Sequence, residues 1–241
     1  MTHSVDSCDM PRASPPKRLV DVAKAATGVF GRLGYRRAHM AEVATQAGLS
    51  AGAVYTYVES KEALFHLVFA HAFGQFAEGM PSLPLATPAF AETLELIGQG
   101  LRKTTATPLL KAALDQSDPG DIETELTTII EERYAMTERV WPVLAVIERC
   151  AVDLPELEAL YFQRGRPRHL AQLTRYLELR AASGHLRTMT DATVAARIVT
   201  ESITWFAWHR REDRDARFYD DEAARRTVIE FVCHALIEPR W

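Results

Sequence analysis

Three observations on the 241-residue sequence predict an all-α fold. Apolar residues recur at three- and four-residue spacing along almost every segment, the signature of helices with one buried face. No run alternates apolar and polar residues long enough to read as a strand. The interruptions fall at Asp118-Pro119-Gly120, Asp153-Leu154-Pro155 and Gly184, residue types that end helices. The pattern divides into a disordered tail at 1–13, a small unit of three helices and the start of a fourth at 14–66, and a larger helical domain at 67–241.

Ser14 ahead of Pro15 and Pro16 predicts a helix start, because Ser caps and Pro loses nothing in a first turn whose N–H groups have no partner. Leu19, Val22, Ala23, Ala26, Phe30 and Leu33 then share one stripe, and Gly34 is placed to end the helix. A short helix turns Met40, Val43, Ala44 and Ala47 inward and stops at Gly48. A second runs from Ala51 to Val58, with Ser50 placed to cap it. Ser60 caps a further helix carrying Leu64, Phe65, Val68, Phe69, Ala72, Phe73 and Phe76, closed by Pro81, Pro84 and Pro88. Longer helices are expected near 89–113, 122–151, 154–182, 191–210 and 220–238, with Pro142 and Pro167 kinking or dividing theirs.

Composition excludes several classes. With 47% hydrophobic and 25% charged residues and no apolar run of bilayer length, the chain reads as an ordinary globular protein. Met1 to Pro16 lacks the apolar stretch of a secretory signal, so a cytoplasmic location is expected. Cys8, Cys150 and Cys233 are widely spaced and predict neither a disulfide framework nor a zinc site. H-E-x-x-H, G-x-G-x-x-G, phosphate-loop and G-x-S-x-G patterns are absent, and His66 and His71, five apart, do not share a helix face. No enzyme, cofactor or metal site is therefore expected. The net charge of -4 hides an asymmetry: from Arg12 to His66, eight Lys or Arg against four Asp or Glu leave +4, so a polyanion would meet the N-terminal part.

That part carries a candidate helix-turn-helix. Ala44 and Gly48 let two short helices cross closely, over an apolar inner surface of Val43, Ala47, Leu49 and Val54. The outer face is Ala51, Gly52, Ala53, Thr56 and Tyr57, small enough for the backbone to sit deep in a major groove and offering methyl groups to thymine. Tyr55, Tyr57 and Lys61 provide donors for phosphate, and so do the N–H groups at the helix starts, one of them capped by Ser50. A glycine-containing helical hairpin also forms as plain core packing, so spacing alone leaves both readings open.

The run Gly34-Tyr35, Met40-Ala-Glu-Val-Ala44, Ala47-Gly-Leu-Ser-Ala-Gly52, Val54-Tyr55-Thr-Tyr57 and Ser60-Lys61-Glu-Ala-Leu64 resembles the DNA-binding domain of the TetR family of repressors. By that resemblance Tyr57 and Lys61 hold phosphate while Ala51, Ala53 and Thr56 face bases. The chain departs from the pattern at Ala38-His39, where Thr or Ser is usual, and at Val58, where Phe is frequent. His39 then stands as a weaker cap, a phosphate donor or an exposed residue without a role. The outer face has no Arg, Asn or Gln for bidentate base contacts; Lys17, Arg18, Arg36 and Arg37 are candidates at its edges.

The resemblance implies that 67–241 binds a small-molecule effector and pairs two chains through the last two helices, placing their recognition helices about 34–36 Å apart on a palindromic operator. The stripes available for pairing are Val194, Ile198, Val199, Ser202, Ile203 and Phe206, and Val228, Ile229, Phe231, Val232, Ala235 and Leu236. Among eight aromatic residues that also include Tyr161 and Trp208, the candidate effector contacts are Phe69, Phe73, Tyr134, Trp141, Phe162 and Trp205. Few charges are expected on the inner faces, hence a largely apolar effector. Arg164-Gly165-Arg166-Pro167-Arg168 looks like a minor-groove hook but lies between helical segments, where a kink held by Gly and Pro is the plainer reading. The expected function is a ligand-responsive repressor released from DNA by its effector. The alternatives are an activator or an architectural DNA-binding protein of the same fold without an effector.

Overall fold

A computed structural model describes residues 15–237. The expected tail at 1–13, the expected cap Ser14 and Cys8 lie outside the described residues. The described chain is helical, with no β-strand among these residues and an isolated bridge between Val58 and Leu85.

Four elements form an N-terminal head: α1 (Pro15–Arg37), α2 (Met40–Gln46), a 3-10 turn (Ala53–Thr56) and α3 (Lys61–Ala72). α1 is regular up to Gly34, where φ of 79° breaks it, and a Cβ there would also lie 3.2 Å from the Arg149 carbonyl. α2 closes on a Schellman arrangement: Gly48 takes φ 66°, its N–H reaches the Thr45 carbonyl, and Leu49 N–H reaches the Ala44 carbonyl at 2.8 Å. Ser60 caps α3 by accepting from Ala63 N–H at 3.0 Å.

The body contains α4 (Phe90–Thr104), α5 (Pro108–Leu114), α6 (Ile122–Ala151), α7 (Pro155–Glu158), a π-helical turn (Ala159–Gly165), α8 (Arg166–Ala182), α9 (Ala192–Ala207) and α10 (Asp221–Leu236). Two expected helices are divided and a third carries a π turn. The one at 89–113 breaks after Thr104, because Pro108 has no N–H to continue a ladder and instead opens α5. The one at 154–182 stays helical throughout but carries the π turn, after which Pro167 sits in the first turn of α8 without breaking the chain of helical residues. The one at 191–210 stops at Ala207, and a 3-10 turn (His209–Arg211) follows. Pro142 does not divide α6, which stays helical through it while Val140, Val143 and Leu144 anchor the surrounding turns in the core.

α6 has 30 residues and so a length of about 45 Å, enough to belong to two cores. Its C-terminal half, through Val143, Val146, Ile147 and Cys150, packs with α1, α3 and α4 around Phe30, Phe65 and Phe69. Each of those rings contributes roughly 1.5–3 kcal/mol by burial. Its N-terminal half, through Leu126, Ile129, Ile130 and Tyr134, packs with α5, α8, α9 and α10. Cys150 and Cys233 are buried free thiols, and burial pushes the Cys150 pKa up to about 12, so it is inert at neutral pH.

Candidate functional site

The segment expected to form a second helix of the helix-turn-helix, Ala51–Val58, is helical only as the four-residue 3-10 turn, with Gly52 rather than Ser50 in the cap position. Its exit explains the difference. Tyr57 carbonyl accepts from Leu85 N–H at 2.8 Å, and Glu59 N–H donates to Leu85 carbonyl at 3.0 Å. Thr87 adds its N–H to the Glu59 carboxylate at 3.1 Å and its hydroxyl to Ser60 Oγ at 2.7 Å. The chain leaving the turn is thus held by the connector before α4, while Val54 and Val58, both fully buried, fix its inner side.

His39, Ser50, Ala51, Tyr55 and Thr56 are exposed, while Ala53, Tyr57 and Lys61 are half-buried. His39 occupies the cap position of α2 and donates its backbone N–H to the Glu42 carboxylate at 2.8 Å. The Thr56 hydroxyl donates to the Ala53 carbonyl at 2.7 Å, leaving its lone pairs and methyl for a base edge. Lys61 Nζ donates to the Arg36 carbonyl at 3.2 Å and sits 4.8 Å from the Tyr35 ring centre, so its ammonium also closes α1 against α3. Tyr35 in turn donates to Glu62, and burial with this bond raises its pKa well above the usual phenol range. Arg36 and Arg37 are exposed beside this group.

The body forms an open-mouthed cavity of about 680 Å³ between α4, α5, α6, the π turn, α8 and α9. None of Phe69, Phe73, Tyr134, Trp141, Phe162 and Trp205 is in its wall. Phe69 and Tyr134 are buried in the two cores; Phe73 lies against Gly100, where a Cβ would come within 2.1 Å of its ring; Trp141 and Phe162 pack on the first core. Trp205 is on the exterior of α9. Tyr161 and Trp208 are the aromatic lining residues.

The expectation of few inner charges is overturned. Arg102, Arg133, Arg164, Arg166, Arg168 and Arg197 all line the cavity, together with Lys111, against one carboxylate, Glu148. Glu148 is already engaged, accepting from Tyr161 Oη at 3.3 Å and pairing with Arg166 at 3.4 Å. Glu201 pairs with Arg166 at 3.1 Å and with Arg197 at 2.7 Å. The apolar share of the wall comes from Leu101, Met136, Leu144, Leu160, Leu170 and Trp208. His169, also in the wall, shares a hydrogen bond with Thr105 Oγ1 at 3.1 Å, and burial, then Arg133 and Arg168, lowers its pKa. The Arg164–Arg168 string runs from the π turn into α8 with Gly165 and Arg166 in helical conformation, and Arg164, Arg166 and Arg168 line the cavity.

Head and body both match known proteins. Residues 22–68 match the model described as bacterial regulatory proteins, tetR family, and residues 122–233 match that described as AefR-like transcriptional repressor, C-terminal domain. The chain belongs to the TetR family and is a DNA-binding regulator, not an enzyme. A fatty acid metabolism regulator protein of Bacillus subtilis is 32% identical over 63 residues, which is 26% of this chain and 32% of that protein, so the match spans about a third of the relative's length. A TetR-like transcriptional regulator from Rhodococcus sp. RHA1 is similar in structure at a TM-score of 0.49 and 18% identity, over 93% of this chain and 98% of that one. PfmR, a TetR family transcriptional regulator from Thermus thermophilus, gives 0.49 and 19% over 88% and 97%. Among the described residues no helix is long and apolar enough to cross a membrane.

Proposed function

We propose that the chain is a repressor that binds a palindromic operator as a homodimer and leaves it when a small molecule occupies the body cavity. One observation carries the coupling. α4 supplies Gly98, Leu101 and Arg102 to the cavity wall, and the connector leading into it is hydrogen-bonded through Leu85 to both sides of the turn exit at Tyr57 and Glu59. A ligand that shifts α4 therefore acts on the segment that carries the expected base contacts Ala51, Ala53 and Thr56, with Tyr55, Tyr57 and Lys61 as the expected phosphate donors and His39 and Ser50 beside them at the helix starts. Different affinities for two placements of α4 are all that such linkage needs.

Pairing through α9 and α10 is supported by their uncovered apolar side chains. Val194, Ile198 and Phe231 are 54%, 61% and 72% exposed, and Trp205 continues the α9 stripe. Surface of this kind on adjacent helices is what a two-fold interface buries. Effector contacts are assigned to the cavity wall in place of the six aromatic residues first expected.

The test is binding of a duplex from the chain's own upstream region against random duplex at moderate salt, with mass measured by light scattering. Specific binding by a dimer is expected; equal affinity for both duplexes, or a monomer, would overturn the reading.

A further inference from the structure

The described body contains three buried guanidiniums, and two of them are answered by carboxylates. Arg180 binds Glu125 at 2.8 and 2.9 Å and donates to the carbonyls of Ala113 at 2.9 Å and Gln116 at 3.1 Å. Arg210 pairs with Asp221 and donates to the carbonyls of Phe206 and Tyr219. Arg133, on α6 in the cavity wall and 5% exposed, has no carboxylate within ion-pair distance among the described residues. Its one bond runs from Nη2 to Thr200 Oγ1 at 3.3 Å, and Nε and Nη1 are buried without partners. The neighbouring Glu132 turns its carboxylate to the Leu109 N–H at 3.2 Å. Burial pulls the Arg133 pKa down to about 10, which still leaves it cationic at neutral pH.

The deficit is concentrated at the cavity. Of the five buried side-chain polar atoms without partners among the described residues, four belong to the lining residues Arg133, His169 and Trp208. Buried charges are ordinarily paired, and buried polar atoms bonded, because desolvation without compensation is costly. A wall that leaves both unmet while enclosing drug-sized space is suited to a ligand that supplies the missing groups.

We propose that the cavity binds an amphipathic small molecule with an oxyanion head, carboxylate or phosphate monoester, whose head pairs with Arg133 and whose apolar body lies along Leu101, Met136, Leu144 and Leu160. This rests on the cavity being the effector site. The exposed Arg102, Arg164 and Arg168 make the approach cationic and draw such a molecule in. Charge-assisted bonds to a guanidinium are the stronger class, so the head contributes selectivity rather than bulk affinity alone.

The test is calorimetric titration of the full chain with dodecanoate, dodecyl phosphate, dodecanol and dodecyltrimethylammonium. Either anion is expected to bind at least about tenfold more tightly than dodecanol, with the cation weakest. The tighter of the two anions identifies the head. Arg133→Met is expected to lose about tenfold for the preferred anion and to change dodecanol affinity by less than about twofold. Equal binding of dodecanol and both anions by the wild-type chain overturns the proposal, whether or not the variant folds. So does undiminished anion binding by Arg133→Met. Specific DNA binding is measured separately: its loss with anion selectivity intact overturns the regulator reading, and the reverse result overturns the anion site alone.

Discussion

The two cores that share α6 are built on different terms. The first, around Phe30, Phe65 and Phe69, contains no buried charged side chain among the described residues of α1 to α3. The second is threaded by guanidiniums: Arg180 and Arg210 are fully buried, and Arg133 stands between it and the cavity. An apolar core of interlocking rings packs the head together behind the short turn at Ala53–Thr56, the segment proposed to meet DNA. In the body two buried guanidiniums are paired with carboxylates, and the third, Arg133, has none among the described residues and faces the cavity where the ligand head is proposed to bind. Stability and recognition are therefore separated within the body by which arginine has a carboxylate.

The sharpest way to break this comparison is to remove each charge in turn. Arg180→Met leaves the half-buried Glu125 carboxylate with the Tyr176 hydroxyl but no cation, and is expected to cost about 3–5 kcal/mol in urea unfolding. Arg133→Met, which strands no carboxylate, is expected to leave stability unchanged or raise it. Equal losses for the two would make Arg133 a structural residue.

The joint between head and body responds next. Gly100→Ala would drive a Cβ into the Phe73 ring between α3 and α4, and about 1–3 kcal/mol of stability should go, measured by thermal unfolding. An unshifted midpoint would mean that this contact is loose. Ser60→Ala removes the cap of α3 and the acceptor of the Thr87 hydroxyl, and is expected to cost about 1 kcal/mol with some loss of DNA affinity.

How far the sequence reached differs between the regions in the same way. In the head, the signals are local: Gly48 ending α2, Ser60 capping α3, and the stripe from Leu19 to Phe30 are each readable within one or two turns. What was missed there is non-local. The turn at Ala53–Thr56 is cut short by bonds to Leu85, and nothing within Ala51–Val58 records that partner. In the body, apolar spacing locates the helices but does not say which core each aromatic residue enters, and the six expected contacts lie outside the cavity wall. Two local signals in the body do point to what the structure shows. Pro108 marks the break in the 89–113 segment, and the closely spaced Arg164, Arg166 and Arg168 mark the cationic side of the cavity that they line.

The smallest expected effect concerns Lys61. Because its ammonium already closes α1 through the Arg36 carbonyl, Lys61→Ala should cost about 0.5–1.5 kcal/mol of stability and lower the salt slope of DNA binding by about one. An unchanged slope would remove Lys61 from the phosphate set.

Coupling between cavity and head is tested most directly by fluorescence anisotropy of a labelled upstream duplex, titrated with the dimer in the presence and absence of saturating dodecanoate or dodecyl phosphate, whichever calorimetry shows to bind. Occupation of the cavity is expected to weaken DNA affinity by at least about fivefold, the lower end of ordinary allosteric coupling. Unchanged DNA affinity with the cavity shown to be filled would contradict it.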